Sequence, residues 1–160
     1  MRVFAWIMVV ITVLTVGLAV YELATLKLGT ESVQIAVTPA SKNQSLFDEM
    51  RAGMDNDSLT GRIFLREAIG NAEDYVFVTY TVPVKNMNFL SAEWIELVVT
   101  AQEGDIAQVS TGDAQKLSGL SRANLSATVL CRLNEQEAAA RKPMLEINYF
   151  LFGRPYSFEL

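Results

Sequence analysis

The stretch YVFVTYTVPVKN, residues 75–86, decides the fold class. Val76, Val78, Tyr80, Val82 and Val84 share one face of an extended chain, and Tyr75, Phe77, Thr79, Thr81 and Pro83 share the other. Successive side chains of a pleated strand point to opposite sides, so period two in β-branched and aromatic residues predicts a strand. Pro83 has no N–H to give a ladder, which predicts a sheet edge or a bulge at this position.

The same period recurs on both sides. Upstream, ESVQIAVTP (31–39) sets Val33, Ile35 and Val37 against Ser32, Gln34 and Ala36 and closes at Pro39. Downstream, AEWIELVVTA (92–101) puts Ile95, Leu97, Val99 and Ala101 on one face, and QEGD breaks it at Gly104 before IAQVS (106–110). That pair predicts a β-hairpin. Residues Thr111 to Arg122, rich in Gly, Ser and Asp, predict a loop. In LSATVLCRL (125–133), Leu125, Ala127, Val129, Cys131 and Leu133 oppose Ser126, Thr128 and Arg132, so Cys131 is expected to be a small core hydrophobe. NEQEAAARKP (134–143) predicts one or two helical turns ended by Pro143, and MLEINYFLFGRPYSFEL (144–160) holds two aromatic-rich strands around Gly153, Arg154 and Pro155. Seven β candidates predict a mainly β domain over 31–160, a two-sheet immunoglobulin-like sandwich, although the Cys…Trp…Cys pattern of antibody-type domains is missing.

Residues 41–71 have a different period. Ser45 and Asp48 have the spacing of a capping box, and Leu46, Phe47, Met50 and Met54 fall on one helical stripe. A second helix is expected from Leu59 to Ile69, ended by Gly70 and Asn71. Such an insertion caps the core or presents a contact surface. Because thioethers adapt to a partner and mixed charges give specificity, the candidate protein-contact residues are Met50, Met54, Asp55, Asp57 and Arg62.

The chain opens MRVFAWIMVVITVLTVGLAVYE, with no charge from Val3 to Val20. Eighteen apolar residues at about 1.5 Å each span roughly 27 Å, close to the hydrocarbon thickness of a bilayer. Only Thr12 and Thr15 interrupt the apolar character, and Trp6 and Tyr21 suit the two interfaces. The segment is read as a transmembrane signal-anchor over 1–22, followed by a juxtamembrane linker over 23–30. Arg2 and the terminal amine against Glu22 and Lys27 favour a single-pass cell-membrane protein with its C-terminal domain extracytoplasmic. The rival is a cleaved signal peptide, for which Gly17 and Ala19 supply the small residues.

Composition removes several function classes. Setting aside Arg2 and Glu22, one charge of each sign, leaves the rest of the chain at the same net charge of −5, so no nucleic-acid partner is expected. With no His and a single Cys, the chain cannot form an internal disulfide, a Cys/His zinc site or an imidazole-based triad. DNDSLTG (55–61) places Asp55 and Asp57 as in a calcium loop, but Thr60 and Arg66 stand where Gly and Glu are required. GLSRA (119–123) imitates a nucleophile elbow at Ser121 without a His to serve it. No Lys follows a Ser by three residues, which argues against a serine–lysine pair. Glu93 and Glu96 are expected on opposite strand faces and Glu103 and Asp105 in a solvated turn, so neither pair suits glycoside hydrolysis. Asn43, Asn56 and Asn124 begin N-x-S sequons. No catalytic residue, metal or cofactor is assigned.

VPVKNMNFLSAEWIEL (82–97), GDIAQVS (104–110) and INYFLFGRPYSF (147–158), preceded by a signal-anchor, resemble small membrane-anchored extracytoplasmic β-sandwich proteins of Gram-positive, clostridial-type bacteria. VKN followed by an acidic strand is also similar to sandwich domains of the late-embryogenesis-abundant type and to other immunoglobulin-like modules. The resemblance covers about half of the chain and implies a fold without an activity. The expected function is a non-enzymatic, membrane-tethered extracytoplasmic domain that binds or scaffolds an envelope or membrane protein at the cell surface. Two alternatives stand beside it. A small envelope-polymer hydrolase needs two acidic residues converging in a cleft, and a sandwich binding a lipid or small molecule needs an apolar cavity.

Overall fold

The computed structural model describes residues 2–24, 27–59, 61–110 and 115–160. The alternating stretch becomes β4 (Val76–Lys85), which pairs antiparallel with β8 (Arg122–Cys131) from Val76↔Cys131 to Lys85↔Arg122. The other side of β4 is covered by β1 (Gly29–Thr30) and β2 (Gln34–Pro39). Beyond β8 come β6 (Asp105–Ser110) and β3 (Gly61–Ile63), completing one antiparallel sheet in the order β1/β2-β4-β8-β6-β3. β5 (Ala92–Val99), β7 (Gln115–Leu117), β9 (Leu145–Leu151) and β10 (Arg154–Glu159) form the second, in the order β10-β9-β5-β7.

β4 is interior, so the edge or bulge expected at Pro83 is not what accommodates it. The neighbouring strand is interrupted there: β2 pairs with β4 up to Thr81, β1 resumes at Val84, and between them the Pro83 carbonyl accepts from Glu31 N–H at 3.1 Å. A strand residue aims its N–H and C=O to the same side, so the missing N–H of Pro83 faces this break.

The two sheets pack face to face as a β-sandwich. Val78, Val82, Leu125, Val129 and Cys131 of the first meet Ile95, Leu97, Val99, Ile147 and Leu151 of the second, all buried. The expected β5–β6 hairpin is absent. The two strands belong to different sheets, with Gly104 (φ 86°) turning the chain between them. At the crossing, the buried Gln108 carboxamide donates to Leu97 O at 3.0 Å and accepts from Val99 N–H at 3.1 Å. β7 pairs with β5 only between Ala92 and Ile95, so this side chain replaces a strand on the remaining edge.

The outer face of the first sheet carries a second cluster. α2 (Gln44–Asp55) lays Phe47 and Met50 on Phe77, Ile106 and Leu130, the side chains that alternate out of the inter-sheet core. The capping box expected at Ser45 is not formed, because the N-cap is Asn43 and makes no side-chain cap bond. A capping box occurs instead at α3 (Glu135–Ala140), where Asn134 accepts from Glu137 N–H at 2.8 Å. Its buried Ala138 joins the inter-sheet core. The second helix expected over 59–69 is also absent: Gly61–Ile63 is β3, and a Cβ at Gly61 would lie 2.1 Å from Gln108 O, a close approach that favours the bare backbone of a strand partner. The loop expected over 111–122 contains β7 and ends at the start of β8. Its first residues, 111–114, lie outside the described residues, as do Thr60 and positions 25 and 26 of the expected linker.

α1 (Arg2–Ala24) is long and apolar enough to cross a membrane, with mean hydropathy 2.6 over Val3–Glu22; its side chains from Val3 to Tyr21 are exposed, and Glu22 is buried.

Candidate functional site

The insertion is divided by burial. Met50 is only 1% exposed, so it belongs to the core and cannot serve as the adaptable contact proposed for it. The helical stripe that suggested a sticky surface is instead satisfied by the outer face of the first sheet. Met54 is half-buried against the same cluster. Asp55, Asp57 and Arg62 are exposed. Asp57, at φ 53°, is ion-paired with Arg66 at 2.8 Å, and Arg62 reaches Glu96 at 3.4 Å. Beside α2 an open groove of about 380 Å³ runs over Met50, Gly53, Asn56, Leu59 and Val109.

The carboxylate pairs also differ from expectation. A bulge in β5 sets Trp94 and Ile95 against a single β9 residue, so Glu93 (opposite Phe150) and Glu96 (opposite Asn148) share the outer face. Trp94 takes the extra position at φ 54°, where an L side chain is strained. Proximity does not make the two glutamates an acid–base pair, since each has its own cation, Lys116 at 3.2 Å for Glu93 and Arg62 for Glu96.

Asp105 is not in solvent. Its side chain is 3% exposed and forms a buried ion pair with Arg141, 12% exposed, at 2.5 Å. Asp105 Oδ1 also accepts from the Cys131 thiol at 3.1 Å, and Oδ2 accepts from Gln102 N–H at 2.8 Å. Arg141 donates further to Glu103 O at 2.7 Å. Burial lowers the Arg141 pKa, but the hydrogen bond and charge of Asp105 outweigh it and hold the guanidinium charged above its ordinary value. Burial, then the hydrogen bond to Asp105, pushes the Cys131 thiol up, and burial, then the neighbouring Cys131, raises Tyr80 to about 12. Both groups therefore keep their protons at neutral pH, and the carboxylate is occupied by donors. This arrangement ties the β5–β6 corner to the end of β8 and the residue after α3. It offers neither a free base nor a thiolate. Among the described residues, no group of three or more His, Cys, Asp or Glu side chains gathers to hold a metal.

At the opposite end of the sandwich, the last turn of α1 meets the β4–β5 loop. Tyr21 OH donates to Met87 O at 3.0 Å, Glu22 Oε1 accepts from Phe89 N–H at 2.9 Å, and the Tyr21 and Phe89 rings lie 5.5 Å apart. The loop is fixed from inside by buried Asn86, whose amide donates to the carbonyls of Leu90, Leu117 and Ser118 while Oδ1 accepts from Asn88 N–H. Leu120 N–H donates to Asn88 O at 2.9 Å, and a Cβ at Gly119 would lie 2.0 Å from Phe89 O. Sequence reasoning passed over this junction. Its signal was present as Asn86 and Asn88 interrupting an apolar run at a strand end, where buried amides commonly satisfy loop backbone.

No protein-family model matches the chain, and no curated protein matches it. Among solved structures, the chain is similar to an uncharacterized β-sandwich protein from Clostridium difficile 630, at 7% identity, 83% coverage of each chain and a TM-score of 0.28.

Proposed function

We propose that this chain is a non-enzymatic, membrane-tethered extracytoplasmic domain that binds or scaffolds a protein partner at the cell surface. The observation that carries the reading is α1: a span-length apolar helix exposes every side chain from Val3 to Tyr21, while its final turn is fastened to the domain by the Tyr21 hydroxyl and buried Glu22. A helix made to be a core element would bury one face. The occupied carboxylates at Glu93, Glu96 and Asp105 weigh against the envelope-polymer hydrolase. The space between the sheets is occupied by buried apolar side chains, Val78, Val82 and Val129 among them, which weighs against a ligand held there.

An immunoglobulin-like sandwich is the finer fold reading. Its support is the strand order, since β2-β4-β8-β6 and β10-β9-β5 follow the A-B-E-D and G-F-C orders of the constant-type domain, with β1, β3 and β7 added at edges. The contact surface is the exposed side of the insertion at Asp55, Asp57 and Arg62, with Met54 at its margin. Crosslinking in native membranes followed by co-purification tests it. Asp55→Arg with Asp57→Arg is expected to lose the captured partner while the chain stays folded and membrane-bound. Undiminished capture removes the insertion from the proposal, and turnover of an envelope polymer that Glu96→Gln abolishes replaces it with the hydrolase.

A further inference from the structure

Four large apolar side chains are exposed together where α1 meets the domain. Phe89 is 53%, Leu90 45%, Leu120 56% and Met87 37% accessible, although the backbone beneath them is held by the buried Asn86 amide, the Leu120–Asn88 hydrogen bond and the close approach of Gly119 to Phe89 O. Order and exposure together indicate a surface shaped for contact.

Their height along α1 identifies the occupant. The uncharged run ends at Val20 after roughly 27 Å of helix, so Tyr21 stands at the level where hydrocarbon gives way to headgroups. The Phe89 ring packs tilted against Tyr21 at that level, Met87 O accepts from the Tyr21 hydroxyl, and Glu22 is buried under the Phe89 amide. The rim is therefore continuous with the lipid-facing surface of the helix. Cations follow at the next level. Lys85 and Arg122, both exposed, are cross-strand partners at the ends of β4 and β8 that lead into this loop and turn. An apolar rim with basic residues just above it matches a bilayer surface, where acyl chains lie below phosphates.

We propose that the β4–β5 loop and the Gly119–Leu120 turn form a foot that seats the domain on the membrane interface, with Phe89, Leu90 and Leu120 in the acyl–headgroup boundary and Lys85 and Arg122 at anionic phosphates. The foot rests on the reading of α1 as a membrane span. The domain would then hold a fixed tilt on the bilayer instead of swinging on a tether.

The test uses the full chain in nanodiscs of equal parts phosphatidylcholine and phosphatidylglycerol. An environment-sensitive fluorophore is attached to single cysteines introduced as Phe89→Cys, Leu120→Cys, Val10→Cys or Glu135→Cys, with the unsubstituted chain as blank for buried Cys131. Lipids carrying a quencher near the headgroup are then added. Blue-shifted, quenched emission is expected at positions 89 and 120, and a quencher deep in the acyl chains should act at position 10, with neither acting at 135. The Leu120 variant leaves the Tyr21–Phe89 contact in place, so its result decides. Position 10 quenched with position 120 unquenched overturns the foot and leaves the span standing. Position 10 unquenched by either lipid overturns both.

Discussion

Replacing Gln108 by Leu should be among the most damaging single changes available in this sandwich, because it removes a side chain that acts as a strand. The Gln108 carboxamide makes two buried hydrogen bonds to the open edge of β5, at Leu97 O and Val99 N–H. Leucine has nearly the same length, so little cavity is created, but both backbone groups lose their partners in a place water does not reach. Each orphaned group costs about 1–3 kcal/mol, partly offset by about 1 kcal/mol from the added apolar burial. The net loss expected is about 3 kcal/mol, against a total stability on the order of 5–15 kcal/mol. For a chain spanning Leu28 to Leu160, a urea slope of about 2 kcal/mol per molar lowers the midpoint by about 1.5 M with the slope unchanged. Gln44→Leu is the comparison, since Gln44 bonds Asp48 on the exposed side of α2 and its loss should cost less than about 0.5 kcal/mol. A Gln108→Leu midpoint indistinguishable from that of Gln44→Leu would refute the account of how the β5 edge is satisfied.

Arg141→Met leaves Asp105 buried and uncompensated and is expected to cost about 3–5 kcal/mol by the same urea assay; adding Asp105→Leu should recover part of it, and no recovery would contradict the ion-pair reading. Cys131 should resist a water-soluble thiol reagent until denaturant is added, and rapid native labelling would reject its burial. Because Cys131 and Tyr80 (about 12) hold their protons more tightly folded than unfolded, stability should be flat below roughly pH 8.5 and fall as pH rises toward 12; a stability that stays constant to pH 12 would count against the buried cluster. Trp94→Gly relieves a left-handed backbone conformation at an exposed position and should stabilise by about 1 kcal/mol, whereas a loss would mean that the indole packs against the sheet.

The long strands were legible because one face of each is committed to the core. β4, β8 and β9 each turn one apolar face to the opposite sheet, and the register follows from that face, although Phe77 and Leu130 on the outer side are also buried, beneath α2. The three short strands were not legible. β1, β3 and β7 span two or three residues each and carry no period, so they exist only because a neighbouring edge has backbone groups to pair. β5 and β6 look like a hairpin because only five residues, Gly104 among them, separate them, and nothing local reveals that the chain changes sheets there. The one available hint was Gln108, polar and flanked by Ala107 and Val109. The helical period over 44–55 is visible in the sequence, but periodicity reports that a face is covered and not by what, so it suggests a partner for Met50 where the chain's own sheet covers it. Asp105 and Arg141 lie far apart in sequence. Their meeting is a tertiary fact with no local signature.

The central claim is that α1 anchors a domain displayed outside the membrane, and a combined topology measurement tests it most directly. In intact cells of the native host, an Asp55→Cys chain is exposed to a membrane-impermeant maleimide, and membranes are then extracted with alkaline carbonate. The account predicts labelling without lysis and retention of the full-length chain in the carbonate pellet. Labelling only after lysis, or recovery of a soluble chain beginning near Val20, would contradict it.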